Sequence, residues 1–335
     1  MKEKPVIHKV KWRKISFVIL LILAGLLLPN KVSFSYYRES GKSALTPNSK
    51  PEALNFNTDT TQFTVANEIY AKAGLLFDMT ENKVVWVKSL NGKFEIASLT
   101  KMMTVLLVIE QIKDGKYDWD SLVKVPKGAP FVGGSSVYLR EGETFTVRDL
   151  VKSALIASGN DAAFTLAEYT SGTEKIFVNM MNWKAAVLGM DSTFFSNSTG
   201  MPNYGHGKDN YSTPHDLLIL ANELLKHKEI LQYTSESEDF IYHGKEKTVF
   251  KNHNSLAVNF KADVDGLKTG FTRGAGFCLV CTANRADHRL ISIILGVPSS
   301  YTRDVIVKDM LNNYYSSIGL GKLGEPLNKP AEINK

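Results

Sequence analysis

Short apolar runs that read as β-strands flank the globular part of this chain on both sides, and that placement restricts the fold more than any other feature. On the N-terminal side, "AGLLFDM" (73–79) and "KVVWVKS" (83–89) face each other across a polar turn at Thr80–Asn82 and read as a β-hairpin. On the C-terminal side, "VDGLKTGFT" (264–272) and "GFCLVCTANRADHRLISIILG" (276–296) supply three more strands, the last two joined by a turn at Asn284–His288.

Helix signals fill the interval. An apolar run follows Ser98. Thr146-Val-Arg-Asp149 has the form of a capping box opening "VRDLVKSALIA", which stops at Ser158-Gly159-Asn160, and "DAAFTLAEYT" follows at once. Thr213 caps another helix, with Pro214 at its first position and Asp216 at N3. "RDVIVKDMLNNYYSS" (303–317) closes the pattern with a helix. Strands at both ends with helices between predict one α+β domain whose sheet joins the two ends.

The N-terminal part has a different character. Residues 1–14 form a basic tail, with Lys2, Lys4, Lys9, Lys11, Arg13 and Lys14 against Glu3 alone. The formal net charge is +6, so the rest of the chain carries only +1. Basicity confined to a tail argues against a nucleic-acid-binding surface. The apolar stretch "ISFVILLILAGLLLP" begins at Ile15, and residues 15–36 read as a signal peptide or a membrane anchor in the positive-inside orientation. The uncharged core is short of the ~20 residues that span a bilayer, although "VSFSYY" extends it past Lys31. Residues 37–66, rich in Ser, Thr, Asn and Pro, read as a linker. The globular domain is expected over 67–318, with a loose tail over 319–335. At 44% hydrophobic and 22% charged residues, the composition suits a packed domain.

The two cysteines, Cys278 and Cys281, have the C-x-x-C spacing of a redox pair or half a zinc site. They fall inside a predicted strand, where residues three apart point to opposite faces, so they read as packing residues. The histidines show no HExxH spacing, and neither a metal nor a cofactor is expected.

Three short motifs carry the chemistry: Ser98-Leu-Thr-Lys101, Ser158-Gly-Asn160 and Lys268-Thr-Gly270. Each alone is common; in this order they match the S-x-x-K, S-D-N and K-T-G signature of penicillin-binding proteins and class A β-lactamases, with Gly159 in place of Asp. A serine hydroxyl is a weak nucleophile and needs a base nearby. An ammonium cannot accept a proton. Burial of Lys101 beside Met102, Met103 and Leu106, with Lys268 as a second cation, would keep its amine neutral part of the time.

"ASLTKMMT", "GGSSVYL", "SGNDAA", "STPHDL", "NHNSL" and "VDGLKTGFTRGAGFCLV" together resemble the low-molecular-weight D-alanyl-D-alanine carboxypeptidases, serine peptidase family S11. The resemblance implies a β-lactamase-like D,D-peptidase fold: an antiparallel five-stranded sheet flanked by helices, with an all-α lobe. It implies removal of the terminal D-alanine from peptidoglycan stem peptides through an acyl-enzyme, with β-lactams as inhibitors. Ser98, Lys101, Ser158 and Asn160 would be catalytic, Asn160 holding a substrate carbonyl. Lys268, Thr269, Gly270 and Phe271 would line the substrate, and the N–H groups of Ser98 and Phe271 would form the oxyanion hole.

Arg303 matches a family arginine suited to a substrate carboxylate. His253 stands where the family's N-x-N stretch carries arginine, and reads as structural or as a secondary contact. Many members add a C-terminal β domain and anchoring helix; this chain is expected to attach through its N-terminal segment, with the catalytic domain outside the cytoplasm. A β-lactamase and a penicillin-binding sensor remain the alternatives. None of the glutamates between Asn160 and Lys268 stands in the E-x-x-L-N pattern of a deacylating base.

Overall fold

The computed structural model describes residues 63–327. The basic tail, the apolar segment 15–36, most of the linker and residues 328–335 lie outside the described residues.

After a 3-10 turn at Glu68–Tyr70, the described residues run through the predicted hairpin, β1 (Ala73–Asp78) and β2 (Lys83–Lys88), then β3 (Phe94–Glu95), a 3-10 turn at Ala97–Thr100 and helix α1 (Lys101–Lys113). Strands β4 (Leu122–Lys124) and β5 (Thr144–Thr146) form a small ribbon ahead of helices α2 (Val147–Leu155), α3 (Asn160–Ser171) and α4 (Glu174–Leu188). After β6 (Tyr211–Ser212) come α5 (Pro214–Leu225) and α6 (Lys228–Thr234), then a second ribbon of β7 (Glu238–His243) and β8 (Glu246–Lys251). Helix α7 (Ser255–Asn259) leads into β9 (Val264–Thr272), β10 (Gly276–Arg285) and β11 (His288–Val297), and α8 (Ser300–Ser317) closes the pattern.

The five long strands pair antiparallel in the order β2-β1-β11-β10-β9. The sheet therefore joins the two ends of the domain, and β9 is left as an edge. The turn between β10 and β11 contains Ala286 and Asp287, both at positive φ, as a two-residue hairpin of type I′ requires. Both predicted caps are present: Thr146 and Asp149 form a reciprocal capping box, and Thr213 Oγ1 accepts from Asp216 N.

Side chains of the sheet divide by period. Leu75, Cys278, Val280, Ile291, Ile293 and Leu295 join a core with α1 to α5, whereas Leu76, Leu279, Cys281, Leu290 and Ile294 join a second core with α8. Cys278 and Cys281 thus lie in different cores, both free thiols and fully buried, as packing residues. The central helix α1 buries every residue from Lys101 to Ile109, which is the pattern of a helix surrounded by protein.

The domain's packing starts earlier and ends later than its sequence suggests. Val65 is buried in the second core with Phe63 against it. Residues 319–325, expected to be loose, are docked. Arg285, paired with Asp263 at 2.8 Å, donates from Nε to Leu320 O and from Nη2 to Glu325 O, while Leu323 N donates to Asn312 Oδ1. A buried guanidinium needs all its donors satisfied, and the backbone of this segment supplies the acceptors.

Candidate active site

Ser98 is the second residue of the 3-10 turn that precedes α1. In such a turn residues i and i+3 eclipse, so the Lys101 side chain passes directly over Ser98. Lys101 Nζ lies 2.9 Å from Ser98 Oγ. Ala97, just before the serine, has φ +46°, a conformation that costs a non-glycine residue about 1 kcal/mol or more. The turn is held in this shape from behind. Gly200 (φ +86°) lies so close that a Cβ there would be 2.0 Å from Ala97 O.

Lys101 is completely buried, and its amine has two further partners: Asn160 Oδ1 at 2.6 Å and Thr199 O at 2.7 Å. Burial, and then the charge of Lys268, push its pKa well below the ordinary lysine value; the buried carboxylate of Asp161 opposes them. Lys268 is also buried. Desolvation, reinforced by the Arg303 charge, lowers it to about 7, and its Nζ donates to Thr269 O at 3.0 Å.

Ser158 occupies the α2–α3 junction at φ +58°. It is buried as a residue, yet its hydroxyl has no hydrogen-bond partner among the described residues. Asn160 opens α3, and its amide has two partners inside the protein. Its Oδ1 accepts from Lys101 and its Nδ2 donates one N–H to Gly133 O at 2.6 Å, which fixes the amide's orientation and leaves its second N–H for a substrate carbonyl. The same side chain therefore orients the Lys101 amine. Asp161 next to it accepts from Ser136 Oγ, Val137 N and Leu139 N, pinning the 136–139 segment beside the site.

Lys268, Thr269, Gly270 and Phe271 lie on the edge strand β9, with the strand's far side free to pair with an extended peptide. At Gly270 a Cβ would lie 2.8 Å from Ile96 O and 3.3 Å from Ser98 N, so β9 runs tight against the serine turn. The Ser98 N–H itself has no partner among the described residues. Phe271 is half exposed and stacks on Phe277.

Arg303, in the first turn of α8, is buried; Nε and Nη2 are held by Asp304, each at 2.7 Å. His253 sits at the rim, its pKa lowered to about 4 by desolvation and by the cations Lys268, Lys101 and Arg303. Because the residue is open to solvent, the cations are the firmer cause. A neutral imidazole there is a weaker anion contact than an arginine would be.

The sequence reading missed the segment that delivers Thr199 O to Lys101. Asn197 Oδ1 accepts from Thr199 N, Thr199 Oγ1 and Gly200 N, and its Nδ2 donates to Met201 O. Asn210 ties this turn to the serine motif by donating to Thr100 Oγ1, and Thr104 Oγ1 donates to Ser198 O. Clustered Asn, Ser, Thr and Gly in "SNSTGMPN" were the available signal, since such residues build turns through their side chains.

The arrangement is chemically specific. A neutral lysine amine has two N–H groups and one lone pair. With the N–H groups given to Asn160 Oδ1 and Thr199 O, the lone pair is aimed at the Ser98 hydroxyl.

Comparison with known proteins places the chain in a family. Residues 59–299 match the D-alanyl-D-alanine carboxypeptidase family, peptidase family S11. D-alanyl-D-alanine carboxypeptidase DacF of Bacillus subtilis (strain 168) is 37% identical over 246 residues, covering 73% of this chain and 62% of the relative. DacC of Escherichia coli (strain K12) is 34% identical, covering 71% and 59%. The chain thus spans about three fifths of the length of these relatives.

Among solved structures, penicillin-binding protein 6B from Escherichia coli superposes with a TM-score of 0.67 at 31% identity, covering 76% of this chain and 80% of that one. Penicillin-binding protein D2 from Listeria monocytogenes, in its ampicillin-bound form, gives 0.65 at 30% identity, covering 75% and 98%. With a family model matched over residues 59–299 and relatives at 34% and 37% identity, the chain belongs to the D-alanyl-D-alanine carboxypeptidase family, S11.

Proposed function

We propose that this chain is a serine D-Ala-D-Ala carboxypeptidase acting on peptidoglycan stem peptides, and that β-lactams acylate it. One observation carries the reading: the buried Lys101 amine, its N–H groups engaged by Asn160 and Thr199, faces Ser98 Oγ at 2.9 Å. Ser98 attacks the carbonyl between the two D-alanines while its proton passes to Lys101. The oxyanion sits between the N–H groups of Ser98 and Phe271. The C–N bond then breaks, and the proton reaches the departing amine of D-alanine through the unpartnered Ser158 hydroxyl. Water, deprotonated by the same amine, hydrolyses the ester. Lys268 and Arg303 supply positive potential for the substrate's terminal carboxylate. A penicilloyl ester stays in place because its leaving group remains tethered and blocks the approach of water.

The catalytic domain lies outside the cytoplasm in this reading, held to the membrane by residues 15–36. Support comes from the five-charge excess ahead of Ile15 and the apolar run behind it. Protease added to intact, wall-stripped cells is expected to degrade the catalytic domain; full protection would contradict the topology.

The function is tested by incubating the full chain with a D-Ala-D-Ala peptide and with penicillin. Multiple turnovers of the peptide, with a long-lived penicilloyl adduct on Ser98, are expected. An adduct without peptide turnover would make the protein a sensor; sustained hydrolysis of penicillin would make it a β-lactamase.

A further inference from the structure

Four aromatic side chains among the described residues are more than 70% exposed: Phe131 (80%), Tyr301 (78%), Tyr204 (77%) and Tyr138 (73%). All four lie on segments that hold a group of the site. Phe131 and Tyr138 flank Gly133 and Ser135, whose carbonyls accept from Asn160 Nδ2 and Asn160 N. Tyr204 follows the Thr199–Met201 turn, and Tyr301 stands two residues before Arg303. The first two segments touch, since a Cβ on Gly134 would be 2.8 Å from Met201 Sδ.

Two of these rings are presented at a cost. Tyr138 has φ +63° and Tyr204 has φ +48°, and a bulky residue in the left-handed region is a true outlier. The cause is visible for Tyr138. Val137 N and Leu139 N on either side are both bound to Asp161, and both neighbouring side chains are buried, which turns the tyrosine outward. Tyr204 leads the loop whose base is tied by Asn203 N to Asp209 Oδ1 and by Asn203 Nδ2 to Lys208 O. Folding gains nothing from an exposed ring on a strained backbone. Such outliers point instead to something outside the chain.

We propose that Tyr138 and Tyr204, with Phe131 and Tyr301, form a rim that stacks on sugar rings of the glycan strand to which the stem peptide is attached. The negative face of an aromatic ring attracts the weakly positive C–H groups on the flat face of a pyranose. Exposed polar residues, among them Ser135 and Lys208, share the segments that carry the rings, and they suit hydroxyl and amide groups better than the apolar patch of a protein or membrane interface would. The rim makes the polymer, not the free peptide, the preferred substrate. Only the identity of the polymer rests on the carboxypeptidase reading.

The test uses the full chain in detergent and a Tyr138→Ser/Tyr204→Ser double variant. The first probe is soluble glycan strands stripped of their stem peptides, with binding measured by calorimetry independently of catalysis. Wild type is expected to bind, and the double variant to lose roughly tenfold in affinity, as expected for two stacking rings. With the same variant, kcat/KM on strands carrying pentapeptide stems is expected to fall by a similar factor. Turnover of a free D-Ala-D-Ala peptide and the rate of penicillin labelling should stay within about twofold, since neither ring touches the reacting groups.

Binding of stripped strands that is absent in wild type, or unchanged in the variant, would overturn the proposal. So would equal losses on the free peptide, or loss of binding to anionic phospholipid vesicles in place of glycan. A wild type that binds stripped strands but hydrolyses no D-Ala-D-Ala peptide would contradict the carboxypeptidase reading and leave the rim standing.

Discussion

Lys101 and Lys268 are both buried, both lowered in pKa and both in the same site, yet their surroundings differ. Lys101 has three oxygen neighbours within 2.9 Å, while Lys268 donates only to the carbonyl of the residue that follows it. Asp161 opposes the lowering of Lys101 by its charge, whereas Arg303 adds a like charge to Lys268. Burial alone therefore does not assign a role. The partners do: Lys101 is clamped with its lone pair on a hydroxyl, and Lys268 is left as a titratable cation beside the open edge of β9.

The sharpest break of this comparison removes what Lys101 serves. Ser98→Ala is expected to abolish penicillin labelling, read by intact-protein mass spectrometry; surviving adduct would move the nucleophile elsewhere. Lys101→Ala comes next. With Ser98 present but without a base, acylation should slow by ~10²–10⁴-fold. A near-normal rate would remove Lys101 from the proton path.

Lys268→Ala should do less to the chemistry and more to capture. Losing a charged contact to the terminal carboxylate is worth ~1.5–3 kcal/mol, or roughly 10–100-fold in kcat/KM. If its loss matched that of Lys101, the division of labour drawn from the hydrogen bonds would fail.

The pH dependence is the finest of these tests. Capture of the carboxylate needs charged Lys268, so KM for the peptide should rise as the pH passes about 7, and Lys268→Arg should flatten that rise. Stability moves in the opposite sense. Between about 7 and the ~10.4 of a free lysine, the unfolded chain binds a proton that the native chain has shed, so stability rises with pH across that window and falls as pH drops towards 7. Lys268→Met should flatten the dependence in urea titrations; an unchanged slope would mean that Lys268 titrates normally in the native state.

What the sequence disclosed follows from how locally each feature is encoded. The strands announced themselves through short apolar, β-branched runs such as "LISIILG", and Ser98–Lys101 through a spacing that one turn of helix converts into contact. Asn160 was found by motif, but its two partners, Lys101 and Gly133, are 59 and 27 residues away and no motif names them. Thr199 contributes a backbone carbonyl, which no residue type advertises. Its place depends on Asn197, Asn210 and a glycine that only tertiary contact with Ala97 makes necessary. Helix α4, with Thr173 as its cap and Gly189 just past its end, could have been read from those signals. Residues 319–325 dock because Arg285 and Asp263 meet beneath them, a pairing that sequence separation conceals.

The central claim is that Lys101 is held neutral against Ser98, and 13C NMR of lysine labelled at Cε tests it directly. The Lys101 resonance, assigned by its loss in Lys101→Met, is expected at the neutral-amine position at about pH 9, where surface lysines with pKa near 10.4 still show the ammonium shift. An ammonium shift for Lys101 that persists until the surface lysines titrate would contradict the account.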